Sequence, residues 1–352
     1  MSEPSHDNSP LLLGIKLGTA CTAVVSSRGY RRLTPSVVGY PRDIIAVRML
    51  GKTQVFGDEA LAHKSALALY HPLRDGLAQD GGGKHDYNAA FELLQQVISE
   101  ARQDEAGDLS AVIGVPARTS HTARAALQHL VEQFCRSALI LPEPYLIAHH
   151  LNCLANGLIV DIGAGHVTVC AVKGAAPLPQ DQAVLPRAGD YLDQQLLAMV
   201  NQHHQGVRIS LPQARQIKEQ YAFVGEPPEP VQVTLRAKGK PGLYDLTDEL
   251  GTVCASIIPE ITEQLAALLQ SFDPEDQETV LEHIYLTGGG SRIRGLASKI
   301  GEALSEYGSV SVSCVEEPEY AGALGALQLA TELPPADWRE FGLASRLPET
   351  GI

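Results

Sequence analysis

The six cysteines of this 352-residue chain (Cys21, Cys135, Cys153, Cys170, Cys254 and Cys314) include no Cys-x-x-Cys pair. That scatter gives no zinc-ribbon or dithiol redox spacing and fits a reducing cytoplasm. Positive charge is also scarce. Lys and Arg number 27 against 41 Asp and Glu, a formal net charge of -14, which argues against a general nucleic-acid surface. No apolar run approaches the ~20 residues of a spanning helix, so no direct membrane insertion is expected, and any membrane association would pass through partners. Residues 1–10 lack the basic-then-apolar plan of a secretion signal and read as a disordered N-terminus. The adjacent pairs His149-His150 and His203-His204 are poor metal ligands, because neighbouring residues on a helix or strand point apart.

What is present is a globular composition, 44% hydrophobic and 19% charged, long enough for two cores. The most informative stretch is Gly157 to Val172. Leu158 to Val160 is a short buried-strand run, Gly163, Ala164 and Gly165 form a turn that a larger side chain would obstruct, and Val167, Val169 and Ala171 then alternate. Asp161 stands at the end of the first strand. A carboxylate beside glycine-bared amides suits a phosphate with its metal ion, although an ordinary hairpin with a self-capping Asp is the plainer reading of this segment alone.

A second copy shifts the balance. Leu11 to Val25 repeats the plan, with Lys16 at the position of Asp161, Gly18 and Thr19 in the turn, and Thr22 opening the return strand. Two such hairpins, one opening each half, imply two related domains facing one ligand.

Between and after them the chain alternates helices and strands. Leu61 to Tyr70 is helical in composition, Gly81-Gly-Gly83 marks a break, and Tyr87 to Ala101 has amphipathic helical spacing. Ala111 to Val115 is a buried strand, Ala123 to Phe134 a helix, and Ala138 to Leu141 a strand leading to Pro142-Glu143-Pro144. Proline is tolerated in a first helical turn, so a helix is expected with Glu143 at its mouth. A long helical pattern from Leu250 to Leu268 contains Pro259, which predicts a kink or a second helix. Ile284 to Leu286 is a strand ending in Gly288-Gly289-Gly290, where backbone can approach a flat or anionic ligand and Ser291 onward can begin a helix.

The paired hairpins, Leu141 to Tyr145 and Leu286 to Arg292 resemble the phosphate and adenosine motifs of the actin-like ATPase superfamily, over about Leu11 to Trp338. Four longer runs, Pro35 to Asp43, Ala111 to Arg118, Gly288 to Leu296 and Glu332 to Pro335, narrow the likeness to the bacterial actins that organise magnetosomes. The resemblance implies an α/β, bilobed actin-like fold with two related lobes around an interdomain nucleotide cleft. Residues 11–155 would form the first lobe with an outer insertion at about 34–80, and residues 156–320 the second with an insertion at about 193–250. Residues 321–352 would supply a crossover helix and a tail packing back on the first lobe.

The same resemblance implies ATP/ADP and Mg2+ as ligands. Glu143 would position the attacking water, a role to weigh against a plain helix-dipole acid. Asp161 would hold magnesium through water. Nucleotide contacts would come from Lys16, Gly18, Thr19, Thr22, Gly163, Ala164, Gly165, Lys218, Glu219, Gly288, Gly289, Gly290 and Ser291. As bare sequence, Lys218 and Glu219 are a charged helical pair.

Two positions depart from the superfamily pattern. Lys16 stands where the first phosphate motif normally has aspartate, a change of two charge units. At roughly 5 Å in a partly desolvated site a fixed cation repels a divalent ion and attracts phosphate. His166-Val167-Thr168-Val169 replaces a run that often carries two threonines and an acid. The expectation is ATP binding with altered magnesium dependence and slow hydrolysis.

The function implied is that of a cytoplasmic, filament-forming ATPase alongside magnetosomes. Its expected partners are copies of itself, a related actin with which it copolymerises, and magnetosome-associated adaptor proteins. A non-hydrolysing regulatory pseudo-actin and a small-molecule kinase of the same superfamily are the alternatives.

Overall fold

The computed structural model describes residues 10–74, 84–103, 107–117, 119–227, 229–334 and 337–338. The Gly81 to Gly83 break, Arg118, the stretch before Pro10 and the tail beyond Trp338 lie outside the described residues. The chain forms two compact units, Met1–Asn152 with Glu319–Ile352, and Cys153–Pro318.

The first unit opens with a meander, β1 (Leu11–Leu17), β2 (Cys21–Ser26) and β3 (Arg31–Pro35). The chain then builds a small sheet from β4 (Val38–Pro41), β5 (Val55–Phe56) and β6 (Leu67–Tyr70), ordered β5-β4-β6. Helix α1 (Ile44–Leu50) starts where the Asp43 carboxylate accepts from the Ala46 amide and stops at Gly51 in the left-handed region, a cap at each end. Helix α2 (Gly57–Ala62) is short. The helix expected over Leu61 to Tyr70 is therefore corrected: its second half is strand β6, fixed by antiparallel pairing of Val38 with Tyr70 and Tyr40 with Ala68. Tertiary pairing overrides a run without β-branched residues.

Helix α3 (Lys84–Arg102) buries Leu93, Leu94, Val97 and Ile98 along one face. Strand β7 (Leu109–Val115) is buried at every residue, the mark of a central parallel strand. Helix α4 (His121–Val131), capped by Ser120, strand β8 (Ser137–Pro142) and helix α5 (Glu143–His150) follow. The main sheet runs β3-β2-β1-β7-β8, with β1 parallel to β7 and β7 parallel to β8.

The second unit repeats this plan. Strands β9 (Ala155–Ile162), β10 (Val167–Lys173) and β11 (Gln182–Leu185) form the meander. Helices α6 (Gly189–His203) and α7 (Leu211–Tyr221) precede the hairpin β12 (Gln232–Ala237) and β13 (Lys240–Asp245). After α8 (Thr247–Ala255), α9 (Ile258–Leu269) and α10 (Gln277–Glu282), strand β14 (Ile284–Thr287) enters the sheet, and α11 (Leu296–Leu304) leads to β15 (Val312–Cys314). The order β11-β10-β9-β14-β15 matches the first sheet strand for strand.

One stretch, Thr247–Leu269, is long and apolar enough by composition to cross a membrane, which corrects the expectation that none exists. It is two helices, α8 and α9, with Pro259 in the first turn of the second, as its position predicted. Leu250, Val253, Ile257, Ile261 and Leu265 from this stretch are fully covered in the core of the second unit.

Helix α12 (Ala321–Glu332) belongs to the first unit, packing on β1, β7 and α5. Its small residues allow the close approach. Ala321, Ala323, Ala326 and Ala330 are buried, and a Cβ on Gly14 of β1 would fall 2.5 Å from the Leu327 amide nitrogen.

Candidate functional site

Within the first unit, Lys16 and Glu143 come together. Lys16 is the penultimate residue of β1, a strand buried on both faces, and it points to the face opposite Leu13, Ile15 and Leu17. Glu143 opens α5, where Pro142 ends the preceding strand and Pro144 occupies the first helical turn. The Lys16 Nζ lies 2.6 Å from Glu143 Oε1, and the two side chains are only 10% and 6% exposed. Gly322 of α12 leaves room for this pair, since a Cβ there would stand 3.1 Å from Glu143 Cγ.

The turn after β1 is built by its glycine. A Cβ on Gly18 would fall 2.6 Å from the Cys21 carbonyl oxygen. The Gly18 carbonyl accepts from Ser36 Oγ at 2.8 Å, and Ser36 Oγ lies 3.0 Å from the buried Thr22 Oγ1. Thr22 thus supports the turn from beneath, while Thr19 is half-exposed on it. Ser36 was not singled out in the sequence; its only signal there was membership of the Pro35 to Asp43 run.

Within the second unit, Asp161 is the penultimate residue of β9, the counterpart of Lys16, and is 7% exposed. It pairs in register with Thr168 on β10 and Thr287 on β14. Gly288 follows with φ +74°, and a Cβ there would overlap the Asp161 carboxylate and sit 2.6 Å from the Ile162 carbonyl. Gly290 faces the Ile162 side chain, with room for no Cβ. Gly289 meets nothing within 4 Å. Ser291 is buried and donates from Oγ to the Gly288 carbonyl at 2.7 Å, closing a 3-10 turn over Gly289–Arg292. The helix expected from Ser291 begins instead at Leu296, after Gly295 turns the chain with φ +79°.

The turn between β9 and β10 docks on the start of α6. Gly189 N donates to the Gly163 carbonyl at 3.0 Å and Asp190 N to the Ala164 carbonyl at 2.7 Å. Gly165 is half-buried in the same turn. Lys218, on α7, reaches across to this junction. Its Nζ donates to the Gly189 carbonyl at 2.8 Å and lies 2.6 Å from Asp193 Oδ1. Asp193 is wholly buried and also accepts from Arg215 Nε at 2.9 Å, while Arg215 Nη2 pairs with Asp190. Burial alone would lower the Arg215 pKa; the Asp193 hydrogen bond and the surrounding carboxylates outweigh it and raise it. Glu219 is exposed. Asp193 and Arg215 are the functional candidates the sequence missed, and the alternation of acid and base across two helices 22 residues apart carries no local signal.

The histidine expectation needs one correction. His203 Nδ1 and His204 Nε2 both approach Glu249 Oε1, at 3.0 and 3.2 Å. Adjacent rings converge because α6 ends at His203 and His204 leaves the helix with φ -104° and ψ 98°. Among the described residues no group of three or more His, Cys, Asp or Glu is arranged to hold a metal ion.

Each unit taken by itself carries glycines at which a Cβ would clash, Gly18 in the first and Gly288 and Gly290 in the second, and the first also holds the buried Lys16 ammonium, chemistry that suits phosphate. For magnesium the fit is narrower. The second unit places a carboxylate, Asp161, at the end of its first strand, but the corresponding strand position of the first unit carries a cation.

The chain matches the family model described as MreB/Mbl protein over residues 11–335. Actin-like protein MamK of Paramagnetospirillum magneticum (strain ATCC 700264 / AMB-1) is 43% identical over 332 residues, covering 94% of this chain and 95% of that protein. Actin-like protein MamK of Magnetospirillum gryphiswaldense (strain DSM 6361 / JCM 21280 / NBRC 15271 / MSR-1) is 42% identical, covering 94% and 92%. A MamK double helical filament matches with a TM-score of 0.88 at 42% identity, covering 93% of this chain and 100% of that one. A non-polymerising MamK mutant bound to AMPPNP matches with a TM-score of 0.76 at 42% identity, covering 92% and 100%.

Proposed function

The chain belongs to the MreB/Mbl family of actin-like proteins, and from that premise we propose that it is an ATP-binding, filament-forming bacterial actin that aligns and positions magnetosomes, with ATP hydrolysis regulating filament turnover and slowed at Lys16. The observation that carries the reading is the likeness, over 93% of the chain, to a protein solved as a double helical filament. A heterologous contact repeated along a strand does not close, so a filament follows once one end of a subunit fits the other end of the next.

In this reading Lys16, Gly18, Thr19 and Thr22 bind phosphate from the first unit. Gly163, Ala164, Gly165, Gly288, Gly289, Gly290 and Ser291 bind it and the adenosine from the second, with Lys218 and Glu219 at the ribose and base. Glu143 positions the attacking water. Magnesium supplies charge neutralisation when bound, held by Asp161 through water. Asp193 and Arg215 fix Lys218 and the start of α6, so they position binding groups without touching the ligand. The cytoplasmic filament would engage a related actin and magnetosome-associated adaptor proteins.

Lys16 also favours a second reading, a regulatory actin that binds ATP, turns it over negligibly and copolymerises with an active relative. One paired experiment tests both: phosphate release and electron microscopy of the purified chain with ATP, with and without magnesium. Filaments that disassemble as phosphate is released support the first reading. Filaments without phosphate release make Lys16 a brake on hydrolysis within the first reading, and neither filaments nor phosphate release, with ATP still bound in a parallel titration, supports the second; absence of ATP binding in that titration overturns both.

A further inference from the structure

The two sheets of this chain share one strand order and one pairing pattern, and the penultimate residue of the first strand bears opposite charge in the two units, Lys16 in β1 and Asp161 in β9. The Lys16 cation is not idle. It is buried against Glu143 at 2.6 Å, on the strand that feeds directly into the Gly18 and Thr19 turn. An ion pair so desolvated is held by mutual attraction, because neither charge has adequate water to fall back on. It also stands at the edge of a turn whose backbone is opened by glycine.

We propose that the Lys16–Glu143 pair is an exchangeable latch, in which the polyphosphate of a nucleoside triphosphate takes Lys16 over from Glu143. This deepens the nucleotide-binding reading above and rests on it. The phosphate tail carries more charge than a single carboxylate and offers several acceptor oxygens, so it outcompetes Glu143 for one ammonium. Lys16 then serves as a resident counter-cation, and nucleotide binds with little need of a divalent ion. Glu143, released from its partner, is the group set free by the exchange. In this structure Lys16 pairs with Glu143, so Glu143 opposes nucleotide binding through its grip on Lys16.

That opposition gives the test. ATP affinity is measured by titration calorimetry in EDTA for the wild type, Lys16→Met, Glu143→Gln and the double variant, with Lys16→Arg as a charge-preserving control. Thermal unfolding without nucleotide checks that each variant is folded. The latch predicts that Lys16→Met weakens metal-free ATP by about tenfold or more, the loss of a charge-assisted bond. It predicts that Glu143→Gln tightens metal-free ATP, that this gain vanishes in the Lys16→Met background, and that Lys16→Arg retains most of the binding. Weaker binding by Glu143→Gln, or the same effect with Lys16 present and absent, overturns the latch while leaving nucleotide binding intact. Failure of the wild type to bind ATP with magnesium overturns the nucleotide reading itself. Metal-free binding undetectable in the wild type, with magnesium-ATP bound, overturns the latch alone.

Discussion

A Cβ placed on Gly325 of α12 would overlap the carbonyl oxygen of Leu146 in α5, so the two helices of the first unit cross backbone to backbone. Neither group can rotate aside as a flexible side chain could. Gly325→Ala is therefore expected to destabilise the first unit at or above the upper end of the ~1–3 kcal/mol typical of overpacking. Chemical denaturation of the variant against wild type measures it, and a difference below about 0.5 kcal/mol would show that the helices separate without cost.

Gly288 combines two constraints: a positive φ of +74° and no space for a side chain beside Asp161. With ψ 166° this backbone lies in a region essentially reserved for glycine, which costs an L-residue on the order of 1–3 kcal/mol, and displacing the Asp161 carboxylate would disturb the proposed metal ligand. Gly288→Ala is expected to lower both the unfolding midpoint and ATP affinity, whereas Gly289→Ala, with open space around it, should spare the fold. Calorimetry and thermal melts on the two variants separate the cases.

Much of this was legible beforehand. The hairpins β1 to β2 and β9 to β10 declare themselves by alternation and by glycine at the turn, and Pro259 marks the join of α8 and α9, because these are local effects of side-chain direction and φ. Repetition of one motif pointed to two related domains, and the actin-like α/β fold was implied by the family resemblance those hairpins carry. Leu61 to Tyr70 misled because its strand is created by pairing with β4, at a distance in sequence. The contacts of Lys16 and Lys218 were hidden for the same reason: Glu143 and Asp193 are brought to them by the fold. His203 and His204 broke the rule that neighbours diverge only because a helix ends between them.

Asp193 is wholly buried between Lys218 and Arg215. Removing its charge leaves two cations facing one another. Asp193→Asn is expected to cost about 2–3 kcal/mol, less than the ~3–5 kcal/mol of a fully buried pair because the Arg215 side chain is 38% exposed and water screens part of the loss. Denaturant titration gives the value. ATP affinity should fall with it, through displacement of Lys218 from the Gly189 junction.

Burial pushes the Cys135 and Cys170 thiols up to about 12 and the Cys254 thiol up to about 11, from a usual 9.0. A thiol whose folded pKa is raised stays protonated after its unfolded counterpart has ionised. Its contribution to stability is full below pH 9 and is lost as pH rises toward 11–12. Thermal midpoints between pH 8 and 11 should therefore fall with increasing pH, and replacing the three cysteines by alanine should flatten that slope. An unchanged slope would assign the alkaline loss to other groups.

Lys16→Asp converts attraction into repulsion at the same place. The ammonium 2.6 Å from Glu143 is replaced by a carboxylate facing it within a buried environment, and two such acids cannot both ionise cheaply. Without divalent cations the variant is expected to melt below wild type, and magnesium should restore stability by neutralising the pair, an effect absent from the wild type. In the same variant ATP binding should become magnesium-dependent, because the resident cation has gone and an ion must take its place. Melting curves across a magnesium series, with ATP titrations in EDTA and in magnesium, read both consequences. If neither stability nor ATP affinity of Lys16→Asp responds to magnesium more than wild type does, Lys16 is not the group that sets the metal requirement of this chain.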